Sequence, residues 1–528
     1  MSGAPETRPG IRAERHWGRD MLCYAERPAD AFALLSAWER SDALAVVEGR
    51  ARLSHAELHA QAAALSGALA ARGLRPGDRV ATVLGNRWEF AVIVLALLRS
   101  GLIAVPVNPR ASAPELAHLL SDSGARLVLH DRASAALLWP EAPDAWDVDA
   151  PAFAEALRAA PAPPHAAGEE DTAVLLYTSG TTGKPKGAML THLGLVHSAL
   201  HFIRAFDLGA GDRSLMAVPA SHVTGLVANL LAILGAGGAL LALPRFEVEA
   251  FLDLARREGM THTLVVPAMY ELLLRRADLA SAGLDAWRVG AYGGAPMAEA
   301  TIERLARALP HLRLANAYGA TETTSPATLM PPGEMGRGAS VGRPVECGRV
   351  RVVDEAGRDR PPGEPGEIWI SGPMVVPGYW RNPEATARAF EGPWWRSGDV
   401  GALDADGYLA VLDRLKDVIN RGGYKVFSAE VEAVLLRHEA VAEAAVLPRP
   451  CPVLGERVVA VVHPREGAAV DEAGLRAHCA AHLADYKVPE RVVASPEPLP
   501  RNANGKVVKR DLRGLVPPAS HEERKRAP

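Results

Sequence analysis

Cysteine is scarce and scattered in this sequence. Only Cys23, Cys347, Cys451 and Cys479 occur among 528 residues, and no two of them form a CxxC pair. This usage excludes a disulfide framework and a zinc ribbon, and it favours a reduced, cytoplasmic setting. The first twenty residues lack an apolar core, so no secretory signal is predicted.

Concentrated positive charge is also missing. The formal net charge is −4, and the one short basic cluster, EERKR, lies close to the C-terminus. A protein whose main partner is a nucleic acid carries a basic patch or stripe. The sequence therefore predicts a protein that does not act on nucleic acid.

Long uncharged runs are limited to VTGLVANLLAILGAGGALLAL at residues 223–243, which is long enough to span a bilayer. The GAGG in this run separates a helix-length piece from the short strand-like piece ALLAL. This pattern is typical of a buried helix–turn–strand unit in an α/β protein. We expect a protein that is not an integral membrane protein.

A chain of this length is too long for one hydrophobic core. From about residue 54 to 250, helical and strand-like patterns alternate, which predicts mostly parallel sheets sandwiched by helices. Beyond about residue 340, short strands joined by Gly, Pro and Asp turns predict a small β-subdomain. A small α+β module follows. The prediction is an N-terminal domain at 1–413 and a C-terminal domain at 414–528, with the boundary near Arg414–Lys416.

The stretch YTSGTTGKPKG at 177–187 is rich in glycines, hydroxyls and lysines. It follows the strand-like run AVLLY and precedes residues 188–203, whose apolar spacing predicts a helix. Glycines let backbone N–H groups turn toward a ligand, and Lys184 and Lys186 add positive charge. It is not a Walker A loop, because Pro185 stands where a hydroxyl residue should follow the lysine. The composition indicates a cradle for a polyphosphate.

Further short motifs occur in a fixed order along the chain. They are NAYGATETT (316–324), SGDVG (397–401), DRLKDVINRGGYKV (413–426) and PRNANGKVVKR (500–510). Together with the loop at 178–187, this set resembles the adenylate-forming superfamily of acyl-CoA synthetases, luciferases and carrier-protein-loading adenylation domains. The resemblance covers residues 30 to 513.

The resemblance implies an α/β fold whose small C-terminal domain is mobile, and it implies roles for matching residues. ATP phosphates would be held by the loop residues Thr178, Ser179, Gly180, Thr181, Thr182, Gly183, Lys184 and Lys186. The adenine would be flanked by Gly293, Gly294, Ala295, Tyr318 and Gly319, and the ribose bound by Asp399 with Arg414 nearby. Thr321 would contact the α-phosphate, Glu322 would bind Mg²⁺, His222 would lie beside the carboxylate substrate, and Lys506 would be the adenylation lysine. Lys416 would be the hinge, and Gly422 and Gly423 would line the passage for coenzyme A.

The chemistry of these residue types fits such roles. A carboxylate that attacks the α-phosphorus of ATP brings two anions together, so the site must neutralise charge. Mg²⁺ prefers oxygen ligands and keeps waters, so one protein carboxylate can suffice. Missing side chains at two glycines would leave room for a thin pantetheine arm. ATP, Mg²⁺ and coenzyme A are therefore the expected cofactors.

Local departures from the family pattern limit the range of expected acid substrates and acyl acceptors. Amino-acid activators carry an aspartate where this chain has the uncharged SHVTG, and Ala317 precedes Tyr318 where a dicarboxylate would need a basic residue. An uncharged monocarboxylic acid, fatty or aromatic, fits best. Free coenzyme A is the expected acceptor, with a separate carrier protein as the alternative, and a non-catalytic nucleotide or acyl-adenylate sensor as the alternative of another class. Assembly as a homodimer is left open by the sequence.

Overall fold

The computed structural model describes residues 9–138, 143–178, 184–334, 336–337, 340–501 and 507–516. Contacts divide the chain into two compact units. The larger, the N-terminal unit, comprises Met1–Arg351, Trp369–Arg396 and Ala405–Leu409, and the smaller, the C-terminal unit, comprises Val352–Ile368, Ser397–Asp404 and Ala410–Pro528. The division into functional domains at residue 414 stays a prediction.

Strands and helices alternate along the first part of the N-terminal unit. The strands are β1 (Ile11–His16), β2 (Arg19–Tyr24), β3 (Leu44–Glu48), β4 (Ala51–Ser54), β5 (Arg79–Val83), β6 (Ile103–Val107), β7 (Leu127–His130), β8 (Asp144–Asp147) and β9 (Thr172–Thr178). The helices are α1 (Ala31–Ser36), α2 (His55–Ala71), α3 (Trp88–Arg99), α4 (Ala113–Ser123) and α5 (Pro151–Ala156).

The alternation continues to about residue 344. The strands are β10 (Lys186–Thr191), β11 (Arg213–Met216), β12 (Ala239–Ala242), β13 (His262–Val265), β14 (Val289–Gly293), β15 (Arg313–Tyr318), β16 (Thr328–Leu329) and β17 (Arg343–Pro344). The helices are α6 (His192–Phe206), α7 (Ala232–Gly235), α8 (Val248–Glu258), α9 (Pro267–Arg276) and α10 (Glu299–Ala308), and a π-helical segment, Thr224–Leu231, precedes α7.

The remaining elements are shorter and richer in strands. They are β18 (Arg349–Val353), β19 (Gly366–Ser371), α11 (Pro383–Ala389), β20 (Phe390–Glu391), β21 (Trp394–Leu403), β22 (Leu409–Arg414), β23 (Ile419–Arg421), β24 (Tyr424–Val426), α12 (Ser428–Leu436), β25 (Val441–Cys451), β26 (Gly455–Pro464), α13 (Glu472–His482), β27 (Arg491–Ala494) and α14 (Lys509–Leu512).

Two large sheets organise the N-terminal unit. One has the strand order β10-β9-β6-β5-β7-β8, and the other has the order β17-β16-β15-β14-β13-β11-β12-β3-β4. Neighbours are parallel except for the pairs β9–β10, β3–β4, β15–β16 and β16–β17. The predicted α/β class with mostly parallel sheets is confirmed.

Smaller sheets account for the other strands. A sheet with the order β18-β19-β21-β20, in which β22 pairs with β21, corresponds to the predicted β-subdomain. The last sheet, with the order β24-β23-β26-β25 and β27 beside β26, lies in the C-terminal unit with α12 and α13. Both the β-subdomain and the α+β module are therefore confirmed.

Local sequence signals explain several helix ends. The helix α4 begins with a capping box, in which the Ser112 side chain accepts the N–H of Glu115 and the Glu115 side chain accepts the N–H of Ser112. It ends at Gly124, whose φ of 62° is the left-handed conformation that glycine adopts without steric cost.

The uncharged run 223–243 divides into the π-helical segment, α7 and β12, as predicted. Within the described ranges, no helix combines the length and apolar character needed to cross a bilayer.

Eight of the described histidines are buried in the N-terminal unit, and His59, His197, His201 and His262 are four of them. Burial lowers the pKa of His59 to about 4 and the pKa values of His197 and His262 to about 3. The ring of His197 accepts the N–H of Tyr24 at 3.1 Å, which requires a neutral ring. Burial also holds the pKa of His201 well below its ordinary value, and neither ring nitrogen of His201 has a hydrogen-bond partner among the described residues.

Candidate functional site

The predicted phosphate loop is flanked by an antiparallel pair of strands. Thr178 at the end of β9 lies opposite Lys186 at the start of β10, and Lys184 is exposed. The predictions for Ser179, Gly180, Thr181, Thr182 and Gly183 fall outside the described residues. The pairing brings the two ends of the loop together at the carboxyl end of β9, where ligands collect in open parallel sheets.

The helix predicted for residues 188–203 is partly wrong. Residues up to Thr191 form β10, and α6 begins only at His192, where the Thr191 side chain accepts the N–H of Gly194. A short apolar run such as GAMLT fits a strand or a helix equally well. Pairing with β9 decides in favour of the strand.

The hairpin of β9 and β10 is fixed to α4 by Tyr177. The phenol of Tyr177 donates to Asp122 Oδ2 at 2.6 Å. A Cβ atom at Gly187 would lie 3.1 Å from Tyr177 Cζ, so a larger residue here would have to displace the ring by a few tenths of an ångström. The base of the phosphate loop is thereby held to a helix of the main core.

Glu322 lies in a short 3₁₀ turn, Thr321–Thr323, just after β15, and it is buried. The phenol of Tyr379 donates to Glu322 Oε1 at 2.8 Å, and Lys186 Nζ lies 4.9 Å from the centre of the Tyr379 ring. Burial first, and then the nearby carboxylate, raise the pKa of Tyr379, so the phenol stays protonated and continues to donate. The structure thus brings Glu322 and Lys186 to the same tyrosine.

This arrangement fits a magnesium ligand. A carboxylate that accepts a hydrogen bond from a buried phenol is an oxygen ligand of fixed orientation, which is what Mg²⁺ requires of a protein. Lys186 places a cation beside the same tyrosine, which is compatible with its predicted role at the phosphates.

The sequence did not predict the contact between Tyr379 and Glu322. The segment 376–380 runs between two parts of the site: Val376 N–H donates to the Glu322 carbonyl at 2.9 Å, and Trp380 N–H donates to the Gly187 carbonyl at 2.8 Å. Ala188 and Tyr379 form an isolated antiparallel bridge. No local pattern in PGYWRNPEAT signals this role, because it depends on pairing with a strand almost 200 residues earlier.

We expect Tyr379→Phe to weaken magnesium binding about 10-fold, since loss of a group that orients a metal ligand typically costs 10- to 100-fold. The measurement is the Mg²⁺ concentration needed for half-maximal acid-dependent ATP–pyrophosphate exchange. Tyr408→Phe is the matched control, because Tyr408 also donates to a glutamate, Glu334, at 2.8 Å. An unchanged magnesium requirement in Tyr379→Phe would remove the basis for this role.

The predicted adenine-binding residues follow two adjacent parallel strands. Gly293 ends β14 and pairs with Ala317 of β15, one residue before Tyr318. A Cβ atom at Gly293 would lie 2.4 Å from the Ala317 carbonyl oxygen, so glycine is needed for this approach. Gly294 has a φ of 78°, and both it and Ala295 are exposed. The predicted residues are therefore neighbours at the carboxyl edge of one sheet, with Gly319 following Tyr318.

His222 lies immediately before the π-helical segment. Its Nδ1 accepts the N–H of Thr224 at 3.4 Å, and its ring is half-buried. A Cβ atom at Gly225 would lie 2.2 Å from the Pro219 carbonyl oxygen, so the turn that presents His222 requires glycine at that position. Wide π turns occur often at functional sites.

A buried polar side chain stabilises this segment from inside. Asn229 Nδ2 donates to the carbonyls of Thr224 and Leu264, both at 3.2 Å. Ser214 Oγ lies 3.2 Å from Asn229 Oδ1 and 2.9 Å from His262 Nδ1. The π-helical segment is therefore tied to β11 and β13 by hydrogen bonds that an ordinary helix would not need.

In the C-terminal unit, Asp399 and Arg414 form an ion pair. Arg414 Nε lies 2.9 Å from Asp399 Oδ1, the Asp399 side chain is buried and the Arg414 side chain is about half exposed. The Asp399 N–H donates to Ser397 Oγ at 3.0 Å, which fixes the backbone of β21 there. The predicted ribose-binding pair is therefore in contact. Lys416 is exposed in a single 3₁₀ turn, Leu415–Asp417.

The predicted coenzyme A passage is a tight turn between β23 and β24. Gly422 and Gly423 have φ values of 60° and 93°, which favour glycine. Gly422 N–H donates to the Leu454 carbonyl at 2.7 Å, and the Asn420 side chain accepts the Gly423 N–H at 3.1 Å. A Cβ atom at Gly423 would meet no described atom within 4 Å, so this position is open. Lys506 lies outside the described residues.

Comparisons with known proteins show the family of this chain. The family model described as AMP-binding enzyme matches residues 35–380, and the model described as AMP-binding enzyme C-terminal domain matches residues 430–506. A feruloyl-CoA synthase from Amycolatopsis sp is 37% identical over 482 residues, which cover 89% of this chain and 95% of that protein. A fatty acid–[acyl-carrier-protein] ligase, ScoC, from Streptomyces coeruleorubidus is 35% identical over 489 residues, covering 88% and 92%.

A solved structure shows the same fold. It is an O-succinylbenzoate coenzyme A synthetase, MenE, from Bacillus subtilis in complex with ATP and a magnesium ion. The TM-score is 0.82 at 30% identity, and the match covers 92% of this chain and 99% of that one.

Proposed function

Because the chain belongs to the family of AMP-binding enzymes and is an acid–thiol ligase of the adenylate-forming type, we propose that it activates an uncharged monocarboxylic acid and transfers the acyl group to coenzyme A. Ligases of this class use ATP, Mg²⁺ and coenzyme A. The observation that carries the proposal is the meeting of Glu322 and Lys186 at Tyr379, beside the two ends of the phosphate loop.

In the first step, a carboxylate oxygen of the acid attacks the α-phosphorus of ATP. The bond from this phosphorus to the bridging oxygen of the β-phosphate breaks, pyrophosphate leaves with the electron pair, and an acyl-adenylate remains. We propose that Lys506 bridges the attacking carboxylate and the α-phosphate, and that Thr321 contacts the α-phosphate. Glu322 would hold Mg²⁺, which supplies charge neutralisation for the triphosphate.

In the second step, the sulfur of coenzyme A attacks the acyl carbonyl carbon. The carbon–oxygen bond to AMP breaks, AMP leaves with the electron pair, and the thiol proton passes to solvent. The glycine turn at Gly422 and Gly423, which is open at Gly423, is the proposed passage for the pantetheine arm, with Lys416 as the proposed hinge between steps. The proposed functional boundary therefore lies near residue 414.

The segments next to the reacting carboxylate support an uncharged substrate. Residues 219–231 contain no Asp, Glu, Lys or Arg, and the one carboxylate in residues 317–330, Glu322, is bonded to Tyr379. An α-amino group would need a carboxylate partner, and a second carboxylate on the substrate would need a cation. Relatives that act on ferulate and on fatty acids are consistent with either an aromatic or an aliphatic acid.

Matched pairs of acids test the proposed substrate class. We expect 3-phenylpropionate or hexanoate to support ATP–pyrophosphate exchange, and we expect phenylalanine and adipate, which add one charged group to each, to be at least about 100-fold poorer, because a buried charge without a partner is costly. Better exchange with phenylalanine or adipate than with its uncharged partner would overturn the substrate class. Absence of exchange with every acid would favour the nucleotide or acyl-adenylate sensor.

The acceptor is tested with the acid that exchanges best. Addition of coenzyme A should convert the acyl-adenylate to a thioester at a rate comparable with exchange. The alternative of a separate carrier protein is supported by the similarity to ScoC. Exchange without consumption of coenzyme A, together with acylation of a phosphopantetheinylated carrier protein, would favour that alternative.

The proposal also includes a cytoplasmic location, and the oligomeric state can be measured. The four cysteines are free and buried, which supports a cytoplasmic setting. Light scattering on the same preparation distinguishes a monomer from the homodimer that the sequence leaves open.

A further inference from the structure

The C-terminal unit holds both ends of the segment that carries Lys506. Arg501 and Val507 form an antiparallel bridge, and Val508 N–H donates to the Pro500 carbonyl at 2.7 Å. Residues 501 and 507, on either side of the stretch that contains Lys506, therefore lie next to each other. We call residues 499–501 the entering arm and residues 507–509 the leaving arm.

The entering arm is fixed to β25. Glu443 accepts the Leu499 N–H at 2.8 Å and the Arg501 guanidinium at 3.0 Å, one on each carboxylate oxygen. Leu499 is buried in a cluster with Leu447 and Leu512. The entering arm is thus held by both packing and charge.

The leaving arm is fixed to α12 by Lys509. Lys509 Nζ lies 2.7 Å from Glu432 Oε1 and donates to Ser428 Oγ at 2.7 Å. Glu432 Oε1 also accepts the Val446 N–H at 2.7 Å. Both charged side chains are mostly buried, each with 20% of its area exposed. Burial raises the pKa of Glu432 and the ammonium of Lys509 opposes this shift, so the two groups depend on each other.

The same contacts continue to the residue before Arg414. Ser428 Oγ donates to Asp413 Oδ1 at 3.1 Å, and the Ser428 N–H donates to Asp413 Oδ2. Asp413 Oδ1 in turn accepts the Arg414 N–H at 2.8 Å. A continuous chain of polar contacts therefore runs from the leaving arm to the proposed ribose-binding arginine.

We infer that Lys509 is a positioning residue for the adenylation step. It ties the leaving arm to α12, so that the segment of Lys506 and the segment of Arg414 share one support. This inference rests on the proposed function, because it assumes that Lys506 acts on the carboxylate and the α-phosphate. Small displacements of a positioned group are expensive in catalysis, even when the change is made away from the reacting atoms.

The chain offers a matched control for this ion pair. Lys487 Nζ lies 2.7 Å from Glu430 on the same helix, and its side chain is 19% exposed against 20% for Lys509. Within the described part of the chain, Lys487 makes no hydrogen bond or ion pair with either arm. Lys487→Met therefore removes an ion pair of the same kind without releasing the leaving arm.

The experiment measures the two half-reactions separately in the full-length enzyme. Lys509→Met should lower kcat for acid-dependent ATP–pyrophosphate exchange 10- to 100-fold, while thioester formation from supplied acyl-adenylate changes less than about 3-fold. Lys509→Arg should restore most of the exchange because it keeps the charge and the donors. Lys487→Met should leave both half-reactions close to those of the wild type.

A double variant keeps the test valid if Lys509→Met folds poorly. Glu432→Gln combined with Lys509→Met removes the unpaired buried carboxylate, so thermal stability should return while exchange stays low. Recovery of exchange together with stability would overturn the inference, as would equal loss of both half-reactions or an effect no larger than that of Lys487→Met. Failure of the proposed function is distinguishable, since the wild type itself would then show no exchange.

Discussion

Replacing Lys506 with alanine should reduce acid-dependent ATP–pyrophosphate exchange about 10²- to 10³-fold, the usual cost of losing one donor aimed at developing charge. In the proposed mechanism the ammonium meets charge that builds up between the carboxylate and the α-phosphate. The second half-reaction starts from a finished acyl-adenylate and does not develop that charge. Thioester formation from supplied acyl-adenylate and coenzyme A should therefore be largely preserved.

The second half-reaction is the internal control for this variant. It shows that the protein is folded and binds the adenylate, so loss of exchange can be assigned to one step. Equal loss of both half-reactions would show that the role of Lys506 is misassigned. Full exchange by the alanine variant would show that Lys506 is not needed for adenylation and would also contradict the assignment.

Acid should destabilise the N-terminal unit well above the pH at which carboxylates titrate. His59, His197 and His262 have folded pKa values of about 4, 3 and 3 against an ordinary value of 6.5. The unfolded chain therefore binds more protons below pH 6.5, and the stabilisation that is fully present above this pH is lost as the pH falls. At pH 5.5 the loss is about 1.4 kcal/mol for each histidine, or about 4 kcal/mol for the three together.

The measurement is the thermal unfolding temperature between pH 7.5 and 5.5, where few carboxylates change charge. His201→Leu isolates one group, because His201 is buried and its ring nitrogens have no hydrogen-bond partner among the described residues. Its decline in Tm with acid should be shallower than that of the wild type. His311→Gln, at an exposed position, is the control and should leave the slope as it is. A Tm that is independent of pH in this window would contradict the prediction.

Much of the fold could be predicted from local patterns. Alternating apolar segments predicted the parallel sheets, and the GAGG in residues 223–243 correctly indicated a turn between a helical piece and β12. These features depend on residues close together in the chain.

Other features required the tertiary structure. Residues 186–191 form β10 because β9 and the segment 376–380 are available for pairing, which their own apolar pattern does not reveal. That same segment also contains Tyr379, which donates a hydrogen bond to Glu322. In the π-helical segment Thr224–Leu231, the amide of Asn229 donates to the Leu264 carbonyl on another element. Contacts between distant parts of the chain thus decided what the sequence left ambiguous.

Because of the π-helical segment, the number of residues between His222 and α7 determines how His222 is oriented relative to α7. Deleting one residue from 224–231 would allow an ordinary helix, and it would rotate His222 by roughly 100° about the axis relative to α7. A deletion between Asn229 and α7 would also turn Asn229 away from the Leu264 carbonyl. Laboratory evolution of the proposed acid preference at this segment should therefore vary side chains and keep the number of residues constant. Deletion of a single codon would reorient His222 and disrupt the contacts that support it.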